Sequence, residues 1–271
     1  MNEALTTLPQ FGTSLMDYLM VLAVCSVRLF VMLYIFPPTA DGILQGVVRN
    51  GIVLLFSSFI AYGQPASLIT SLKGVTLIEI GLREGIIGLV LGFAASTVFW
   101  VAEAAGTYVD DLTGYNNVQI TNPMRQDQST PTAILLAQVA SVAFWTFGGM
   151  TFLLGVLYES YHWWPLTSST PVASSVLESF VLNQTDTLMQ TTAKLAAPMM
   201  FVLLLVDLAF GFGAKSAQKL DLVSLSQPVK GALTVLILAL FVGIFVDQVK
   251  DQLILTSLGE QLRSISDAMK K

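Results

Sequence analysis

Long apolar runs recur from one end of the chain to the other, at 15–36, 75–102, 132–158, 194–213 and 231–248, with a shorter one at 51–62. The longer ones reach the roughly 17 to 25 mainly apolar residues that a helix needs to cross a bilayer. Pro37 and Pro38 close the first run, because proline forces the residue before it out of the helical region. A polar interval at 159–189 opens around "YESYHWWPLTSSTPVASS", whose aromatic cluster suits a membrane–water interface. Beyond the last run, Leu255, Leu258, Leu262, Ile265 and Met269 recur at spacings of three and four. That spacing predicts an amphipathic C-terminal helix within 249–271.

The least expected feature is the stretch joining the second and third long runs, "GTYVDDLTGYNNVQITNPMRQDQSTPTA" at 106–133. Gly106, Gly114, Pro123 and Pro131, with the amide-rich "YNNVQ" and "RQDQS", predict a segment that continues neither flanking helix. Loops beyond about 12 to 15 residues are usually functional or disordered. Val109, Leu112, Tyr115, Val118, Ile120 and Met124 supply apolar anchors that a solvated linker has no need of. Polar backbone at membrane depth is tolerated only when buried in protein or lining a water-filled cavity.

Composition agrees with the runs. The 271 residues are 54% hydrophobic and 11% charged, with a mean hydropathy of +0.71, against about 25% charged residues in soluble domains. No long hydrophilic block divides the apolar runs, so a single membrane domain over 1–271 is expected. The net charge of −5 argues against nucleic acid as a partner, which would require a concentrated basic surface. Cys25 has no second cysteine to pair with and reads as a small packing residue. "MNEALTTLPQFG" lacks a positively charged signal-peptide start, so the first apolar segment is expected to stay in the protein.

Gly81, Gly85, Gly88 and Gly92 fall on one helical stripe, which predicts close approach of another backbone. Charges inside apolar helices are costly unless they face protein or water. Asp17 and Arg28 lie on one face of the first run, and each is expected to meet a group on another segment. Glu79 and Arg83 are placed for an i,i+4 pair, and Glu84 and Glu103 add acids without evident partners. Asp207 sits inside an apolar run with Lys215 two turns on. These charges read as structural contacts between helices or subunits, since a proton relay would bring carboxylates together with histidine and the one histidine, His162, falls in a loop. With six spans and the N-terminus outside, Arg49, Arg125, Lys215, Lys219 and Lys230 fall inside, while Lys73, Lys250, Arg263, Lys270 and Lys271 fall outside. This tie points to a short segment that does not span or to helices set unconventionally in lipid.

Signals of catalysis are absent. There is no phosphate cradle, no Cys/His metal spacing and no zinc-protease motif. "SAQK" at 216–219 matches a serine–lysine pattern too short to carry weight. No cofactor and no metal are expected.

In order, "REGIIGLVLGFAASTVFWVAEAAGTYVDDLTG", "NP" before a polar stretch, "FGGMTFLLGVLYESYHWWPL", "APMMFVLLLVDLAFGF" and "AQKLDLVSLSQPVKGAL" resemble the FliR/SctT family of type III secretion export-gate subunits. The resemblance runs from about Arg28 to Asp247, and Gly148, Gly149 and the spacing from Asp207 to Gly211 fit the family. It implies an all-α membrane protein of tilted helical hairpins within a larger helical assembly in the bacterial inner membrane, part of it above the membrane plane on the periplasmic side. The implied partners are FliP/SctR-like, FliQ/SctS-like and FlhB/SctU-like subunits, with unfolded secreted proteins as cargo. The injectisome branch is favoured over the flagellar one. The resemblance also makes 106–132 a pore plug, with Gly106, Asp110, Asp111, Leu112, Gly114, Tyr115, Asn117, Ile120, Pro123, Met124, Arg125 and Gln128 as its residues. The competing reading is a stand-alone secondary transporter or channel with sites at broken helices near the midplane.

Overall fold

The structure is a computed structural model describing residues 2–65, 68, 74–167, 174–216, 222–253, 259–260 and 263. It is all-α apart from one minimal hairpin. The helices are α1 (Asn2–Ile35), α2 (Gly46–Tyr62), α3 (Val75–Thr113), α4 (Pro131–Thr146), α5 (Gly149–Trp163), α6 (Ser174–Ser216) and α7 (Leu222–Leu253). Strands β1 (Ile120–Thr121) and β2 (Gln128–Ser129) pair antiparallel, Ile120 opposite Ser129. Most of the expected C-terminal amphipathic helix, and three of the four residues of "SAQK", lie outside the described residues.

Among the described residues, four helices are long and apolar enough to cross a membrane, over Ser14–Ile35, Val75–Thr113, Leu177–Lys215 and Leu225–Asp247. The pair α4 and α5 makes a fifth candidate, broken by 74°. The run expected at 132–158 is therefore two helices. The break falls at Gly148, whose φ of 72° is the left-handed conformation that glycine adopts without strain. At 17 residues α2 is the short apolar helix that the charge tie pointed to.

The ends of α3 and α6 depart from the sequence expectation. α3 runs eleven residues beyond 102, through Gly106, and stops at Gly114 with φ 82°. Gly106 is thus not a breaker. One glycine inside a helix costs about 1 kcal/mol, and here it permits contact, since a Cβ at 106 would lie 2.5 Å from Ala133 Cα. The left-handed cap that ends the helix falls on Gly114 instead. α6 starts twenty residues before the apolar run at 194, through a polar first half that hydropathy does not register.

The chain divides into two compact units, and the boundary falls inside α3 between Ala95 and Ser96. The first comprises 1–95, 153–179 and 259–271. Its core holds Val21, Val24, Cys25, Ile60, Ala61, Leu68 and Leu166, with Tyr158 and Tyr161 packed against them. α1 and α3 run parallel here: a Cβ at Gly88 would meet Arg28 O at 2.5 Å and one at Gly92 would meet Met32 Cα at 3.1 Å. The glycine stripe is thus a contact at Gly88 and Gly92, loose at Gly85, where Val27 Cγ1 is 3.9 Å from such a Cβ, and open at Gly81. The second unit comprises 96–152 and 180–258. There α3 and α4 run antiparallel, with Gly106 against Ala133 and Phe99 edge-to-face with Phe144, ring centroids 5.8 Å apart. Gly149 leaves space for the Phe144 ring, while Gly211 faces open space.

A methyl group at 88 would collide with backbone that has nowhere to move. Gly88→Ala is expected to cost about 1–3 kcal/mol through overpacking, lowering the detergent-solubilised melting temperature. Gly81→Ala, in open space, should leave that temperature unchanged or raise it slightly. Equal melting of the two variants would remove the close approach as a determinant of the fold.

Candidate functional site

Two polar constellations interrupt the apolar helices. In the first unit, Arg28 is fully buried on α1. Its Nε donates to Glu84 Oε2 at 2.8 Å, and Nη2 lies at 2.8 Å from the same oxygen. Nη1 donates to Ser160 Oγ at 2.8 Å, and Nη2 donates to the Trp164 carbonyl at 3.0 Å. The guanidinium carbon sits 3.8 Å from the Tyr161 ring centre, whose π-face stabilises the cation. The Tyr161 hydroxyl in turn donates to the Cys25 carbonyl at 2.9 Å. Glu84, also fully buried, binds Arg83 Nη2 through Oε1 at 3.2 Å. Arg83 further donates to the Pro165 and Leu166 carbonyls, both at 3.0 Å. Glu84 is therefore not the lone acid the sequence suggested, since its two carboxylate oxygens meet Arg28 and Arg83. Asp17, expected to share a contact role with Arg28, stands only half-buried on α1, and Glu79 on α3 is exposed.

In the second unit the 106–132 segment is an ordered corner. Thr130 is the N-cap of α4, yet its side chain makes no capping bond. The carboxylate of Asp110, fully buried on α3, takes that role: Oδ2 accepts from the Thr132 amide at 2.8 Å and Oδ1 from Thr132 Oγ1 at 2.6 Å. A carboxylate at a helix N-terminus satisfies an orphan amide and meets the positive end of the dipole. The other expected lone acid, Glu103, pairs with Arg125 and lies 3.4 Å from Ser129 Oγ. Arg125 also reaches Asp127 at 3.2 Å.

The hairpin turn is closed from within. Asn122 N donates to the Asp127 carbonyl at 2.7 Å, Gln126 N donates to the Asn122 carbonyl at 2.8 Å, and Met124 N donates to Asn122 Oδ1 at 2.9 Å. Val109, Asn122 and Met124 are buried, whereas Asp111, Asn117, Val118, Ile120, Pro123 and Gln128 are exposed. The expected anchors are therefore split: Val109 and Met124 hold the segment, Leu112 and Tyr115 are half-buried, and Val118 and Ile120 present apolar surface outward.

The acid Asp207 was set against Lys215, but its ion-pair partner is Lys230, with Nζ 2.9 Å from Oδ1. Lys215 lies exposed near the end of α6, and Lys230, counted from the sequence as a loop charge, is buried on α7. Sequence reasoning also missed Asn122, Thr132, Ser160 and Tyr161. Each is a neutral residue made important by tertiary pairing alone, and none carries a spacing signal.

Among the described residues there is no cluster of His, Cys, Asp or Glu able to hold a metal ion. An all-α membrane protein, with buried ion pairs joining its helices and an ordered polar corner between two of them, is the class these features define. Residues 19–255 match the model of the bacterial export proteins, family 1, and the chain belongs to that family. It is 31% identical over 208 residues to Yop proteins translocation protein T of Yersinia pestis, covering 76% of this chain and 80% of that protein. It is 29% identical over 225 residues to the secretion system apparatus protein SsaT of Salmonella typhimurium, covering 82% and 86%. The flagellar biosynthetic protein FliR of Bacillus subtilis is 21% identical over 178 residues, covering 65% and 69%.

Two tests follow from this geometry. Removing Glu84 alone leaves Arg28 buried without its counter-charge, so Glu84→Leu should lose about 3–5 kcal/mol of stability. The pair Arg28→Met with Glu84→Leu should lose less than either single variant, and additive losses in a double-mutant cycle would deny the coupling. At the corner, Asp110→Ala orphans the Thr132 amide at a cost of about 1–3 kcal/mol, while Asp110→Asn keeps one acceptor and should lose less. Amide exchange at the start of α4 measures both.

Proposed function

We propose that the chain is a non-enzymatic core subunit of a type III protein secretion export gate in the bacterial inner membrane, and that 106–132 plugs its channel at rest. Family membership and relatives named for translocation, secretion apparatus and flagellar biosynthesis support the export role. The higher identity to the Yop translocation protein than to the flagellar one supports the injectisome branch. On this reading the partners are FliP/SctR-like, FliQ/SctS-like and FlhB/SctU-like subunits, and unfolded secreted proteins pass the channel. Part of the assembly stands on the periplasmic side of the membrane.

One observation carries the plug. A polar hairpin between two apolar helices is fixed at its base by buried Asp110, yet turns Val118 and Ile120 outward, each 47% exposed. A linker would need no such anchoring, and an ordinary loop would not display paired apolar side chains. A plug needs both, a rigid base and a tip that seals against other walls. Exposed apolar faces on α6 and α7, with Phe201, Leu204, Phe212, Leu236 and Leu240 each at least half exposed, fit contact with neighbouring subunits or lipid.

Deleting 115–128 spares the cap at Gly114, Thr130 and both helix ends. The deletion should assemble with its partners yet let ions or small solutes cross the membrane, as followed by a flux assay in intact cells. An assembled deletion complex as tight as wild type would refute the plug.

A further inference from the structure

We infer that Lys230 is the latch that holds the base of the 106–132 segment, and therefore positions the gate; the inference rests on the plug reading above. The ammonium of Lys230 donates to the Leu112 carbonyl at 2.6 Å, and it lies 2.9 Å and 3.2 Å from the two oxygens of Asp207. Leu112 is in the last turn of α3, where carbonyls have no partner within the helix and the dipole is negative. One buried cation thus joins three helices at the point where α3 gives way to the polar segment.

The rest of that α7 face meets the same joint. Gln227, one turn before Lys230, is 3.4 Å from the Gly114 carbonyl through Nε2. A Cβ on Gly114 would strike Gln227, and a Cβ on Gly231 would strike the Tyr115 hydroxyl. Positions 227, 230 and 231 share one face of the helix, and all three meet residues 112–115. The two glycines make room for each other's neighbours, so this interlock is specific in shape as well as in charge.

The grip is built to release. Lys230 is 8% exposed, whereas the Asp207 side chain is 44% exposed, so water reaches the carboxylate and competes for the pair. Pro228, two residues before Lys230, removes a helical hydrogen bond in the gripping turn, which makes α7 easiest to bend there. A small bend of α7 withdraws Gln227 and Lys230 together and frees the α3 end. An element that pushes α7, such as an arriving substrate or a neighbouring subunit, would open the gate without touching the hairpin.

The experiment compares Lys230→Met, Lys230→Arg and deletion of 115–128 in the assembled complex, measuring amide exchange over 112–130 and solute leak in cells. Loss of a hydrogen bond from a charged donor should speed opening of that segment about ten- to a hundredfold. Lys230→Met should also leak in the direction of the deletion, and Lys230→Arg should restore both readouts. Gln227→Leu, which leaves the ion pair in place, should shift both in the same direction by less, and it decides the matter if Lys230→Met fails to assemble. Wild-type exchange and tightness in both Lys230→Met and Gln227→Leu overturn the latch. A leaking deletion beside a tight, assembled Lys230→Met overturns the latch while the plug stands. Faster exchange with no leak in any variant, the deletion included, removes the gate and the latch's function with it.

Discussion

A guanidinium with no solvent exposure, set in an apolar helix bundle, keeps its charge and has to place its N–H groups on protein acceptors. Arg28 meets that demand with Glu84, Ser160 and the Trp164 carbonyl, and the demand organises the first unit. Glu84 can reach Arg28 only if α3 comes within backbone contact of α1, and Gly88, one turn further along α3, provides that approach. Trp164 can offer a carbonyl only because α5 ends at Trp163, since a mid-helix carbonyl would be occupied by its own helix. Ser160 satisfies both sides at once, donating to Leu157 O while accepting from Arg28. The helix that carries a glycine stripe and the helix that stops early are consequences of one buried charge.

The second unit solves the same problem at helix ends. Asp110 takes an orphan amide at the start of α4, and Lys230 takes an orphan carbonyl at the end of α3. Acid meets the positive end of one helix and base meets the negative end of another, so each charge gains from the dipole as well as from the hydrogen bond. Hydroxyls along the helices are handled locally: Thr107, Thr113, Ser141 and Thr146 each donate to a carbonyl four residues back. The corner's buried carboxylate and the Asn122 amide oxygen are thereby paired within the corner. Outward it offers amides and acids together with the apolar Val118 and Ile120.

The sequence was most legible where one property repeats along one element. Apolar runs located most of the long helices, and the four-glycine spacing located the contact between α1 and α3, although only Gly88 and Gly92 are tight. Ends were less legible. Gly106 and Gly114 are alike as letters, yet one lies inside a helix because Ala133 packs on it and the other ends the helix with a left-handed turn. Partners of buried charges were the least legible, because they are set by tertiary contact. Arg28 and Glu84 are 56 residues apart, and Asp207 finds Lys230 in preference to Lys215 because α7 brings that ammonium to within 2.9 Å of the carboxylate. A neighbour in sequence is the natural first guess for an ion pair on an isolated helix, and it fails when a helix from elsewhere offers a better-buried cation.

The helices also differ in how much of their surface the chain itself covers, and this separates their roles. The apolar window of α3 is 72% buried, while those of α6 and α7 are 17% and 28% buried. α3 spends its surface on internal contacts, carrying Glu84, Gly88, Gly106 and Asp110 in succession. α6 and α7 bury little, and between them they hold Asp207, Gln227 and Lys230, the groups that reach the polar corner. Elements with few buried apolar contacts are the ones that move at least cost. A polar corner built on the well-covered helix and gripped by the sparsely covered pair is therefore coupled to whatever lies against the exposed faces of that pair. What surrounds α6 and α7 can then change the grip on the corner while the contacts of α3 stay as they are.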